Sequence, residues 1–127
     1  GMGNGMLACR EGNRTRMKME QDCERKTVGR NMCDRVRTTT VDKVLEELQP
    51  GTVDVVKMDV EGSECMLMKG ATSLLTRYRP ALVQWEGKNK RSDRCVRASM
   101  SGARYEVGKP HGLDLNTLAW PRATPPV

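Results

Sequence analysis

Between Val53 and Glu86 the sequence passes through an apolar stretch, a stretch of helical spacing and a second apolar stretch, and no other feature constrains the fold as much. Val53-Asp54-Val55-Val56-Lys57-Met58-Asp59-Val60 is short, rich in β-branched residues and mostly apolar, as suits a strand buried between helices in a parallel sheet. After Glu61-Gly62, the run Ser63 to Tyr78 carries Cys65, Met66, Met68, Leu74 and Leu75 at broadly helical spacing. Gly70 is expected to divide or bend that helix, and Arg79-Pro80 to end it. Ala81-Leu82-Val83-Gln84-Trp85-Glu86 reads as a second buried strand. Strand, helix and strand within about thirty residues describe a βαβ crossover, so the two strands should be parallel neighbours.

The flanks add elements on either side. Thr40 precedes Val41, Val44, Leu45 and Leu48, which lie on one face of a helix that Pro50-Gly51 should end. Asp93 to Met100 reads as a modest helix. Ala103 to Val107 and Leu115 to Trp120 read as strands joined by a loop rich in Gly and Pro, and their order suits a hairpin. At 127 residues the chain suits one small domain. With 3% aromatic residues and no Phe, its core must rest on Leu, Val and Met. Those residues concentrate from Val41 to Trp85, whereas Asn13 to Arg37 is dominated by charged and small polar groups. The expected organisation is a polar, poorly ordered segment over 1–37, a domain over 38–120 and a Pro-rich tail over 121–127. Gly1-Met2-Gly3-Asn4-Gly5 has no preceding strand, which a nucleotide-binding glycine loop requires, and reads as a flexible end.

A formal net charge of +6 suits an anionic partner in principle. The basic residues, however, alternate with acids from Arg10 to Arg37, and the run Lys88-Asn89-Lys90-Arg91 has no aromatic neighbours on which bases would stack, so nucleic acid is not expected as a partner. Cys9, Cys23, Cys33, Cys65 and Cys95 form no CxxC pair, which argues against a structural zinc site or a disulfide framework and for free thiols. No apolar run approaches the roughly eighteen residues of a membrane span, and no signal peptide is visible. A cytoplasmic protein is expected, and the sequence does not specify its oligomeric state.

In open α/β sheets ligands bind beyond the carboxyl ends of the strands, which gives weight to the polar residues there. The first strand end supplies Asp59, Glu61 and Glu64 around Gly62, and the second supplies Glu86. Such carboxylates can orient a hydroxyl, take its proton or hold a cationic group. Equally, Asp59 or Glu61 can cap the next helix, while Glu64 reads as part of a solvated helix face. His111 lies in a loop without a nucleophile elbow and reads as exposed. Trp85 suits either a buried strand position or stacking on adenine.

Val55-Val56-Lys57-Met58-Asp59-Val60-Glu61-Gly62-Ser63-Glu64, then Met68-Lys69-Gly70-Ala71 and Arg79-Pro80-Ala81-Leu82-Val83, resembles the signature block of the FkbM-type S-adenosylmethionine-dependent methyltransferases. Thr40-Val41-Asp42 is similar to that family's lead-in, and Asn116-Thr117-Leu118-Ala119 to its closing strand. The resemblance implies an α/β fold of Rossmann-like methyltransferase type, with these two strands as its fourth and fifth and a C-terminal β-hairpin. It implies methyl transfer from S-adenosylmethionine to a hydroxyl of a sugar or other small molecule, with Asp59 and Glu61 catalytic and Asp59, Gly62 and Glu86 binding the cofactor. The family's opening strand, with its acidic glycine-rich turn, and the acid ending its second strand find no counterpart. The chain is therefore expected to hold the C-terminal half of the sheet, as an incomplete catalytic domain or, alternatively, a non-catalytic binding or scaffolding module derived from a methyltransferase.

Overall fold

The computed structural model describes residues 36–123. Of these, the residues from Thr39 onward form one compact unit. The expectations for the glycine-rich start, the polar segment up to residue 35, Cys9, Cys23, Cys33 and the final prolines lie outside the described residues.

Helix α1 spans Val41–Leu48. Thr40 caps it as expected, its Oγ1 accepting from Lys43 N at 3.1 Å, and Gln49 ends it in the left-handed region at φ 47°, with its N–H bonded to the Leu45 carbonyl. The apolar face predicted from spacing is used in part: Leu45 is buried against Ala71 and Leu74 with Val41 beside it, whereas Leu48 is exposed. Strand β1 (Val55–Met58) is shorter at both ends than its apolar run. The following helical stretch divides at Gly70, as expected, into α2 (Glu64–Lys69) and a single π-helical turn, α3 (Leu74–Tyr78).

Glycine is required at the break by a close approach. A Cβ on Gly70 would lie 2.9 Å from Cβ and 3.0 Å from Cγ2 of Thr40. Next to this contact Asp42 N donates to the Gly70 carbonyl at 2.8 Å. The Asp42 carboxylate accepts from Thr72 N at 3.1 Å, Ser73 N at 2.8 Å and Ser73 Oγ at 2.5 Å. Thr40-Val41-Asp42 and Gly70-Ala71-Thr72-Ser73, far apart in sequence, thus form one clasp.

Burial works against the Asp42 carboxylate, but the hydrogen bonds from Ser73 and Thr72 outweigh it and hold its pKa below the ordinary 3.8. A carboxyl whose folded-state pKa is depressed adds stability that is present above the unfolded pKa and lost as pH falls through the folded one. Asp42→Ala should therefore cost about 1 kcal/mol near neutral pH, the usual worth of a side chain serving helix amides. The difference from the parent chain should shrink as pH drops below 3.8. Urea unfolding of both chains across acidic pH checks this, and a gap that stays constant would contradict it.

Strand β2 spans Leu82–Glu86, α4 spans Lys90–Gly102, β3 spans Tyr105–Val107 and β4 spans Asn116–Pro121. Helix α4 is longer than the sequence suggested at both ends, and it starts earlier because Asn89 caps it, Oδ1 accepting from Ser92 N at 2.9 Å. The sheet order is β1-β2-β4-β3. β1 and β2 run parallel, with Val55 opposite Leu82 and Met58 opposite Trp85. β4 runs antiparallel to β2, with Glu86 opposite Asn116, and β3 pairs with β4 in the expected hairpin. The last strand, not the third, thus neighbours β2. It reaches Pro121, and beyond it Arg122 N donates to the Arg104 carbonyl at 2.9 Å. The result is a mixed α/β unit around a four-stranded, partly parallel sheet, compatible with a Rossmann-like fold.

The larger core cluster joins the sheet to α2 and α4 through Met58, Met68, Val83, Trp85, Val96 and Tyr105. Tyr105 is tied at the amino end of β2: its hydroxyl donates to the Pro80 carbonyl at 2.8 Å, and the Arg79 guanidinium lies 5.1 Å from its ring centroid. Burial raises the Tyr105 pKa, the Arg79 charge opposing it only in part.

The free-thiol reading is corrected for two of the cysteines. Cys65 on α2 and Cys95 on α4 form a disulfide, with Cα atoms 5.5 Å apart. A pair separated by 30 residues carries no local signal, and only the packing of α2 beside α4 brings the two together. No helix among the described residues is long and apolar enough to cross a membrane.

Candidate functional site at the carboxyl ends of the parallel strands

Because β1 and β2 are parallel, their carboxyl ends meet at one edge of the sheet, and β4 begins at that edge with Asn116 opposite Glu86. From Met58 the chain runs into a tight turn in which Asp59 and Glu61 are exposed and Ser63 N donates to the Val60 carbonyl at 3.1 Å. Glu61 and Gly62 both have positive φ, 50° and 90°. Two such residues in succession reverse the chain sharply. Gly62 adopts this conformation without steric cost, whereas at Glu61 it is a strained choice that the surroundings must hold. A Cβ on Gly62 would also lie 3.1 Å from Asn89 Nδ2, so the turn after β1 touches the cap of α4.

The loop after β2 is equally tight. Gly87 N donates to the Leu115 carbonyl at 3.0 Å, and a Cβ on Gly87 would lie 2.8 Å from that oxygen. Glu86 is half-buried, with Oε1 3.6 Å from Lys88 Nζ. Lys88 also pairs with Asp114 from the hairpin loop, and the hydrogen bond and charge of Asp114, followed by Glu86, raise its pKa. The basic run from Lys88 to Arg91 is therefore divided: Lys88 is ion-paired and Asn89 is a helix cap.

Glu64 differs from the sequence reading. It is 2% exposed and so not on a solvated helix face. Its Oε1 accepts from Val60 N and Gly62 N, each at 3.4 Å, and its Oε2 accepts from Ser92 Oγ at 2.7 Å. The amides of Val60 and Gly62 are thus taken by Glu64 rather than by Asp59 or Glu61, and Ser63 makes no side-chain cap of α2. Sequence reasoning missed Ser92 and Asn89. The signal for Asn89 was present, since Asn three residues before Ser92 is a helix-start pattern; for Ser92 there was none.

Asp59, Glu61 and Gly62 therefore share one turn, and Glu86 ends the adjacent strand. Trp85 is 1% exposed, which leaves no face for adenine, and its Nε1 donates to Asp93 Oδ1 at 2.8 Å. His111 is exposed, and its backbone pairs with Asn116.

The family model of the Methyltransferase FkbM domain matches residues 16–107. The chain belongs to the FkbM methyltransferase family. The matched range begins within the polar N-terminal segment, covers both parallel strands with their carboxyl-end loops, and stops at the end of β3. Comparison with curated proteins and with solved structures brought no match. Within the FkbM signature the structure separates two kinds of residue. Thr40, Asp42, Gly70 and Ala71 belong to the clasp, and Arg79-Pro80 hold Tyr105. Asp59 and Glu61 are exposed at the sheet edge, with Glu64 buried behind them.

Proposed function

We propose that this FkbM-family chain contributes to methyl transfer from S-adenosylmethionine to an oxygen of a small hydroxyl compound such as a sugar, with the turn from Asp59 to Gly62 and the end of β2 at Glu86 forming one wall of the site. The observation that carries the proposal is the exposure of Asp59 and Glu61 at the carboxyl end of a parallel strand, on a turn in which Glu64 accepts from the amides of Val60 and Gly62. Their side chains are available to a ligand at the sheet edge where open α/β folds bind theirs.

The donor set suits the cofactor. Carboxylates accept hydrogen bonds from ribose hydroxyls and from an α-ammonium group, and they favour a nearby sulfonium charge. Asp59 and Glu86 would hold it, and Gly62 contributes through the turn it permits against Asn89. When bound, S-adenosylmethionine supplies an electrophilic methyl group. Asp59 and Glu61 then have two tasks: orienting the acceptor hydroxyl toward the methyl and receiving the proton that leaves its oxygen. Lys88 pairs with both Asp114 and Glu86 on the far side of this wall.

Calorimetric titration of the 127-residue chain with S-adenosylmethionine tests the proposal. Saturable binding is expected, weakened about tenfold or more in Asp59→Ala, the loss expected of one hydrogen bond to a charged group. A folded chain that gives no heat of binding would overturn the proposal and favour a non-catalytic module derived from the family.

A further inference from the structure

We infer that Glu64 and Ser92 are positioning residues that set the turn after β1 against the start of α4, and so determine where Asp59 and Glu61 stand; the inference rests on the proposed use of that turn as a ligand site. A carboxylate removed from water is costly unless its oxygens are satisfied. Glu64 is buried, and both its oxygens are occupied, one by two turn amides and the other by the Ser92 hydroxyl. Ser92 is buried as well, so the bond between them is shielded from water. The bond to Ser92 is short at 2.7 Å and those to the amides are long at 3.4 Å. The side chain is thus anchored first to α4 and restrains the turn second.

This bond is not what keeps α2 beside α4. The disulfide begins at the residue after Glu64, ends three residues beyond Ser92 and already joins the two helices. Met68 and Val96 pack between them in the same core cluster. What Glu64 adds is a specific hold on Val60 and Gly62, the residues flanking Glu61. Asn89 supports the same junction: its Oδ1 caps α4 at Ser92 N, and its Nδ2 faces Gly62. A left-handed Glu61 is a conformation its surroundings must impose, and Glu64 supplies that constraint.

The test compares Glu64→Ala, Glu64→Gln and Ser92→Ala with the parent chain, reading amide hydrogen exchange at Val60 and Gly62 without ligand and affinity for S-adenosylmethionine by titration. Glu64→Ala should speed exchange at both amides by about tenfold and weaken the cofactor by a similar factor, as expected for the loss of hydrogen bonds to a buried charge. Gln at this position keeps an oxygen for the amides and offers an N–H to Ser92 Oγ, so it should restore most of both quantities. Tyr105→Phe, which removes the hydroxyl bonded to Pro80 at the other end of β2, should lower the melting temperature without changing affinity. If Glu64→Ala fails to fold, Ser92→Ala carries the same readouts in the same direction. Unchanged exchange at Val60 and Gly62 would overturn the inference whatever the ligand does. Accelerated exchange in the variants of a parent chain that itself does not bind S-adenosylmethionine would instead overturn the functional reading and, with it, the positioning role. An affinity loss in Tyr105→Phe equal to that in Glu64→Ala would reduce Glu64 to a stabilising residue and overturn the inference as well.

Discussion

Trp85→Ala is expected to destabilise the chain by about 3–5 kcal/mol, the range for removing a fully buried large aromatic side chain. Trp85 lies in β2 between Met58 of β1 and Thr117 of β4, and it is 1% exposed. The chain has few large side chains, with two Trp, two Tyr and no Phe, so Trp85 supplies a large share of the core's volume. Truncation also removes the donor to Asp93 Oδ1, leaving that carboxylate with Arg97 on its other oxygen. Small domains are stable by only about 5–15 kcal/mol, so a loss of this size leaves a marginal fold. Trp85→Phe keeps most of the volume and loses the indole N–H, and it should cost roughly half as much or less. Chemical denaturation of the three chains is the check, and a Trp85→Ala loss near about 1 kcal/mol would mean that the residue does not anchor the core.

Removing the link between α2 and α4 should have an effect of similar size. Cys65 and Cys95 close a loop with a sequence separation of 30, for which the chain-entropy treatment gives about 3–4 kcal/mol. The double substitution Cys65→Ser with Cys95→Ser is expected to lower stability by that amount. A reductant should bring the parent chain down to the same level and leave the double variant unchanged. The last arm is the control, because it separates the Cys65–Cys95 link from Cys9, Cys23 and Cys33, which both chains share. Identical unfolding midpoints for the parent chain with and without reductant would refute the link. The two losses should not simply add, because Trp85, Met68 and Val96 belong to one cluster lying against both helices.

The exposed part of the candidate site is legible in the sequence, because a polar residue at the carboxyl end of an apolar run is a local pattern. Asp59, Glu61 and Glu86 stand at the ends of β1 and β2, and Gly62 has the positive φ that its place in a tight turn suggested. The buried part was not legible. Glu64 looked like any acid in the first turn of an amphipathic helix, since the alternative, a carboxylate turned inward, depends on a hydroxyl 28 residues away. In the same way Thr40 and Gly70 read correctly as a cap and a helix break. Their contact, which explains why glycine is needed there, joins segments that the sequence keeps apart.

The sequence by itself determined the order and type of the elements: a capped α1, a strand, a helix divided at Gly70, a parallel partner strand, a further helix and a terminal pair of strands. It also carried the signature by which the FkbM family is recognised. These are properties of neighbouring residues, written in periodicity, caps and breakers, and they act over one or two turns of chain. Tertiary structure alone decided that β4 lies between β2 and β3, that Cys65 meets Cys95, that Asp42 clasps Ser73, and that Glu64 faces Ser92 instead of water. An apolar face states that an element must be covered, and many partners satisfy that demand. Which partner covers it is chosen by packing the whole unit at once, so buried polar contacts become visible only when the elements are assembled.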